Sequence, residues 1–210
     1  MGVLAMFPLG SVLLPGELLP LEVFEPRYRQ LVLDLLADDV NEPEFGVTLI
    51  ERGHEVGGGD QRSEVGTVAR IVRIDALDDG RYALVAVGMR RLRVNAWLPD
   101  DPYPMADVDE WPDDEASDPD VAVQLAAARV RVEATRRLAA ELGDLGEPGD
   151  AEFPELVDDP TLASYQLVSL APVGAADRLR LLAAESPMRR LELLDEALDD
   201  AEAVLRFRST

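Results

Sequence analysis

Residues 7–29 read FPLGSVLLPGELLPLEVFEPRYR, and how that stretch is read decides the fold. It is the most apolar part of an acidic chain, and its charges are Glu17, Glu22, Glu25, Arg27 and Arg29. Pro15-Gly16 splits its middle. Proline presets φ at the second position of a four-residue turn, and glycine accepts the positive φ of the third, so a type II turn is expected here. The flanks then read as short strands, about residues 11–14 and 18–24. Glu25-Pro26 follows, and Pro26 suits the first position of a helix, where a missing N–H is no loss. The stretch predicts strand, tight turn, strand and helix start.

Working outward, residues 1–6 read as a first strand ended by Phe7-Pro8. Residues 26–37 read as a helix, with Tyr28, Leu31, Val32 and Leu35 at helical spacing. Residues 45–51 alternate as a strand, and 52–64 form a polar loop holding Gly57-Gly58-Gly59. Residues 65–74 are β-branched with polar alternation, a half-buried strand. Asp78-Asp79-Gly80 is a hairpin turn. Residues 82–87, 90–97 and 103–108 are three more short strands. Such spacing predicts a closed or nearly closed antiparallel β-barrel with one helix.

Beyond Trp111 the pattern changes. Residues 114–118 are an acidic linker between a barrel subdomain, 1–113, and a helical subdomain, 119–210. Three helix starts share one form: Asp118-Pro119, Asp159-Pro160 and Ser186-Pro187. Asp or Ser at the N-cap accepts free backbone N–H groups, and Pro follows at the first helical position. Helices are expected over 119–142, 160–170, 175–184 and 187–205, packed as a bundle. Thr135 is the polar residue in the apolar stripe of the first. The fold class is α+β.

The 210 residues suffice for a sizeable core. Forty-two acids against 20 bases give a net charge of −22, which repels phosphate backbones and anionic membranes. Residues 1–113 and 114–210 each carry half of the acids and half of the bases. Every base is arginine, so a Walker lysine, a Schiff base and a lysine general base are excluded. There is no cysteine, which excludes disulfides and thiolate chemistry and suits a reducing cytoplasm. No signal peptide or membrane-spanning run is expected.

Phe7-Pro8-Leu9, Val12-Leu13-Leu14-Pro15-Gly16, Leu19-Pro20-Leu21 and Phe24-Glu25-Pro26-Arg27-Tyr28 together resemble the opening signature of the Lon protease N-terminal, substrate-binding domain. The resemblance continues through Phe45-Gly46-Val47, Val65-Gly66-Thr67, Asp79-Gly80-Arg81, Gly88, Arg91-Leu92-Arg93-Val94 and Pro102-Tyr103. It extends more loosely to Ser186-Pro187-Met188-Arg189-Arg190-Leu191. It implies a PUA-like β-barrel followed by a helical subdomain, and a role in selecting polypeptides. Without GxxxxGK[ST] or any lysine, the ATPase and Ser–Lys peptidase modules have no counterpart, so a stand-alone recognition domain is expected.

Candidate chemistry is sparse. His54, beside Glu55 and near Asp60 and Glu64, suggests a metal site, but a lone histidine gives no ligand spacing and a solvated loop is the simpler reading. Gly57-Gly58-Gly59 lacks the following helix of a phosphate loop. Arg90, Arg91 and Arg93 are the basic cluster. They suggest either an RNA-binding patch or internal ion pairs, and the charge favours the latter. Glu25 suits a helix N-terminus, Arg27 a barrel carboxylate, and Tyr28 a place under the helix. No catalytic residue, metal or cofactor is expected. The partner expected is a polypeptide, held by Leu13, Leu14, Leu18 and Leu19 where exposed, with Arg27, Arg91 and Arg93. Most of these leucines are expected in the core. An RNA-binding domain or a hydrolase using acidic residues are the alternatives.

Overall fold

The computed structural model describes residues 2–37, 42–53, 61–114, 120–142 and 153–208. It falls into two compact units, Met1–Pro112 and Asp113–Thr210.

The first unit holds strands β1 (Gly2–Leu9), β2 (Leu18–Val23), β3 (Glu44–Arg52), β4 (Gln61–Ala76), β5 (Tyr82–Trp97) and β6 (Met105–Glu110), with helix α1 (Pro26–Ala37) between β2 and β3. They form one sheet in the order β2-β5-β4-β3-β1-β6, and β6 also pairs with β5. The run β5-β4-β3-β1-β6 thus returns to β5, and β2 is left paired on one side. One expectation is corrected. The sheet is not wholly antiparallel, because β1 pairs with β3 in parallel, Met6 opposite Gly46 and Leu9 opposite Leu49. Everything from Gly10 to Pro43 lies between those strands, and so long a crossover permits the parallel pairing a tight hairpin forbids.

Further boundaries differ from the sequence reading: β1 runs through Phe7-Pro8 to Leu9, and β4 starts at Gln61, inside the expected loop 52–64. Residues 11–14 are not a strand: their backbone is engaged by a neighbouring side chain and by the turn that follows. Residues 82–97 form one strand, not two. Between Val68–Arg90 and Ala69–Gly88 the register shifts, so Met89 is an extra residue, a bulge that bends the strand without ending it. The two halves of β5 then serve different partners. Residues 82–87 pair with β2, and residues 92–97 pair with β6.

The core of this unit joins Phe7, Leu13, Val23, Leu31, Val32 and Phe45, with Tyr28 stacked on Phe7 at 3.9 Å between ring centroids. Helix α1 thereby lays its Tyr28–Leu31–Val32 face on the sheet.

The second unit holds helices α2 (Val121–Glu141), α3 (Pro160–Leu170), α4 (Ala175–Leu182) and α5 (Pro187–Arg208). Helix α2 packs on α3 and α5, and α4 packs on α5. The cap logic holds at two starts. The Asp159 carboxylate accepts the Leu162 N–H at 2.8 Å, and the Ser186 hydroxyl accepts the Arg189 N–H at 3.2 Å. Asp118-Pro119 lies outside the described residues. Thr135 is buried and reaches the Arg131 carbonyl at 3.0 Å and the Glu202 carboxylate at 2.9 Å. Arg190 is fully buried in this unit. It donates to Ser164 Oγ at 2.7 Å, Tyr165 Oη at 2.6 Å, the Leu181 carbonyl at 3.1 Å and the Asp113 carboxylate. No helix among the described residues is long and apolar enough to cross a membrane.

Candidate functional site

The site is built from the Pro15-Gly16 turn. Glu17 N–H donates to the Leu14 carbonyl at 3.1 Å, and Gly16 has a φ of 83°, the type II geometry expected of Pro-Gly. The Glu17 carboxylate accepts the Leu14 N–H at 3.1 Å. Thr67 Oγ1 donates to the Leu13 carbonyl at 2.6 Å and fixes the loop to β4. Gly16 N–H donates to the Gly88 carbonyl at 2.8 Å, and Gly88 N–H returns a bond to the Glu17 carbonyl at 2.9 Å. A left-handed glycine sharing one opposing residue with its neighbour is a glycine bulge.

That bulge sets the phase of β2. With Glu17 bonded to Gly88, the backbone groups of Leu19, Leu21 and Val23 face β5, and those of Leu18, Pro20 and Glu22 face away. Pro20 stands at an outward position, where its missing N–H leaves the β5 ladder intact. Side chains alternate with the same period: Leu19, Leu21 and Val23 turn toward the core, whereas Leu18, Pro20 and Glu22 are exposed. Leu18 keeps 64% of its surface open.

An apolar hollow flanks β2 on each side. On the outer face, Pro20 opposes Val85 and Glu22 opposes Ala83. These residues and Leu77 line a cavity of 520 Å³, within the usual range for ligand clefts. Its rim is charged but paired. Arg81 bonds Asp79 at 2.6 Å and also Glu22, and Arg73 bonds Asp75 at 2.9 Å. The Arg81 backbone N–H and guanidinium hold the Asp79 carboxyl below its ordinary value. On the other side Phe7, Leu9, Leu21, Phe24 and Tyr28 surround a cavity of 80 Å³, and Phe24 is 53% exposed.

The residues expected to bind are scattered by this geometry. Leu13 and Leu14 are buried in the core, Leu19 packs half-buried against it, and Leu18 is open. Arg27 pairs with Glu25 at 3.1 Å and lies over the Tyr28 ring at 4.5 Å. Arg91 is buried and donates to the Trp111 and Pro112 carbonyls, both at 3.1 Å, while the Arg93 guanidinium sits 4.0 Å from the Trp111 ring centroid. Arg93 stands within residues 92–97, which pair with β6, Arg91 directly precedes them, and neither lies on the half that pairs with β2. Arg90 bonds Glu44 at 2.8 Å and Glu110 at 2.7 Å. Burial pushes the Glu44 carboxyl up, but hydrogen bonds from Arg90 and Arg70 outweigh it and hold the carboxyl below its ordinary value. His54 and Gly57-Gly58-Gly59 lie outside the described residues. Among the described residues no cluster of three or more His, Asp or Glu is placed to hold a metal.

Pro20, Ala83, Val85 and Phe24 were missing from the sequence expectation. The signal for Pro20 was present, since a proline inside a strand pattern belongs at an outward position of an edge.

Residues 3–200 match the family model of the ATP-dependent protease La (LON) substrate-binding domain. The chain belongs to this Lon family. Lon protease 2 of Myxococcus xanthus is 28% identical over 207 residues, covering 98% of this chain and 24% of that protein. The Lon protease of Anaeromyxobacter dehalogenans is 29% identical over 210 residues, with the same coverage, 98% and 24%. The chain thus spans about a quarter of the length of these Lon relatives. A Lon N-terminal domain protein from Xanthomonas campestris has the same fold, with a TM-score of 0.67, 30% identity and coverage of 92% of this chain and 97% of that one. The N-terminal domain of Mycobacterium avium complex Lon protease shares the fold at a TM-score of 0.63 and 20% identity, covering 94% and 98%. The family match lies in the substrate-binding domain of Lon.

Proposed function

We propose that this chain is a non-catalytic module that holds extended, apolar polypeptide segments on the outer face of β2 and the first half of β5. The observation that carries the proposal is the apolar surface of exposed Leu18 and Pro20 and half-buried Ala83 and Val85 beside the unpaired side of β2. Exposed apolar surface gathered in one place marks interaction sites. Membership of the substrate-binding family supports the same reading. We take the returning ladder as a PUA-like barrel, the four later helices as a bundle and the cytoplasm as the setting, which the cysteine-free sequence suits. The arginines that suggested an RNA patch support that alternative less. Arg90 is engaged with Glu44 and Glu110, and Arg91 with backbone carbonyls.

The test is binding of a permanently unfolded protein, such as reduced and carboxymethylated lactalbumin, to the full chain by fluorescence anisotropy. Leu18→Glu with Val85→Glu is expected to weaken binding by roughly tenfold or more, equivalent to about 1.4 kcal/mol, while circular dichroism stays unchanged. Unaltered binding by a folded double variant would place the function elsewhere.

A further inference from the structure

Resting on that reading, we infer that the captured segment adds to the free edge of β2 as a further strand, and that it is apolar with basic ends. Among the described residues β2 is the strand that pairs on one side alone. The phase fixed at Gly88 aims the N–H and C=O groups of Leu18 and Glu22, and the C=O of Pro20, away from β5. These positions recur every second residue, the spacing at which an added strand presents its own outward backbone groups. Pro20 supplies no N–H between them. The gap opposes long, uninterrupted pairing with another sheet edge, the usual hazard of an open strand, and a short segment can still bond at Leu18 and Glu22.

The side chains of such a segment would alternate between the two faces. One set falls on the side of Pro20 and Val85, an apolar floor with a rim of paired charges, and the other on the side of Leu9 and Phe24, where the lining is mainly apolar. Glu17 precedes β2 and Glu25 follows it, each engaged locally, by the Leu14 N–H and by Arg27, within a chain whose net charge of −22 makes the wider field negative. Basic residues at both ends of the segment complement that arrangement, and an acidic segment is repelled.

The test uses a fluorescein-labelled peptide with a valine-leucine core of about six residues, a length that spans β2, flanked by arginine pairs. Each core amide is N-methylated in turn, and binding to the full chain is followed by anisotropy. Strand addition predicts a period of two: alternate methylations weaken binding by roughly three- to tenfold, the loss of one backbone hydrogen bond, and the intervening ones leave it unchanged. Glutamate pairs in place of the arginines should weaken binding at low salt, with the difference shrinking as salt rises. A flat methylation profile, with binding still lost in Leu18→Glu/Val85→Glu, would overturn strand addition while leaving the surface intact. Binding that ignores Leu18→Glu/Val85→Glu would overturn the surface itself. Equal affinity for the glutamate-flanked peptide would overturn the charge preference.

Discussion

Gly88 accepts the Gly16 N–H at 2.8 Å, and the position its Cβ would take lies 2.2 Å from the Leu14 carbonyl oxygen. The Pro15-Gly16 turn therefore rests directly on β5, with no room for a side chain. Gly88→Ala must push the turn off the strand or bend β5. A stability loss of about 3 kcal/mol is expected, toward the upper end for overpacking because the clash is with backbone. Urea unfolding of the variant beside the parent measures it. Gly2→Ala, where nothing lies within 4 Å, is the control and should be neutral.

Leu13 and Leu18 stand five positions apart and have opposite fates. Leu13 is buried in the core beside the Gly88 contact, and Leu18 faces solvent. Leu13→Ala should cost about 2–5 kcal/mol, as other buried leucines do. Leu18→Ala should change stability by less than about 0.5 kcal/mol, yet weaken capture of unfolded protein. Paired melts and anisotropy titrations separate the two. A Leu18 variant that unfolds while Leu13→Ala does not would reverse the assignment.

How much of this was legible in the sequence depends on the range of the interaction. Local chemistry was. The Pro15-Gly16 turn, the bounds of α1 and the caps at Asp159 and Ser186 follow from residues within one turn of one another. Pairing between distant strands was not. Nothing near Met6 shows that it lies parallel to Gly46. Gly88-Met89 looks like a break when seen alone, and reads as a bulge once β4 lies alongside. The site was half legible for the same reason. Leu18 could be named from its own stretch. Val85 could not, because residues 82–87 are apolar on both faces, and alternation there does not say which face is covered.

Glu44 links the acid range to stability. Arg90 and Arg70 hold its folded carboxyl below the ordinary glutamate value despite burial. The unfolded state therefore takes up the proton first as pH falls. The stabilisation is fully present above the unfolded pKa and is lost as pH drops through the lowered folded one. Glu44→Gln should lower stability at neutral pH and flatten the fall in melting temperature toward acid pH. An unchanged acid slope in Glu44→Gln would show that other carboxylates govern it.

Arg190 offers the sharpest test of the second unit. Its guanidinium is buried among Ser164, Tyr165, the Leu181 carbonyl and the Asp113 carboxylate, and it lies 3.6 Å from the Tyr165 ring centroid. Tyr165 Oη in turn donates to Asp113 at 3.0 Å. Arg190→Met keeps much of the volume but strands these acceptors, and removing one partner of a buried pair costs about 3–5 kcal/mol. Arg190→Lys keeps the charge but cannot reach so many acceptors at once, because an ammonium lacks the planar fork. It should recover only part of the loss. Asp113→Asn should cost less than Arg190→Met, since the amide oxygen still accepts from the guanidinium. Chemical unfolding of the three variants gives the order, and full recovery by lysine would show that charge alone, not the forked geometry, holds α5 to its neighbours.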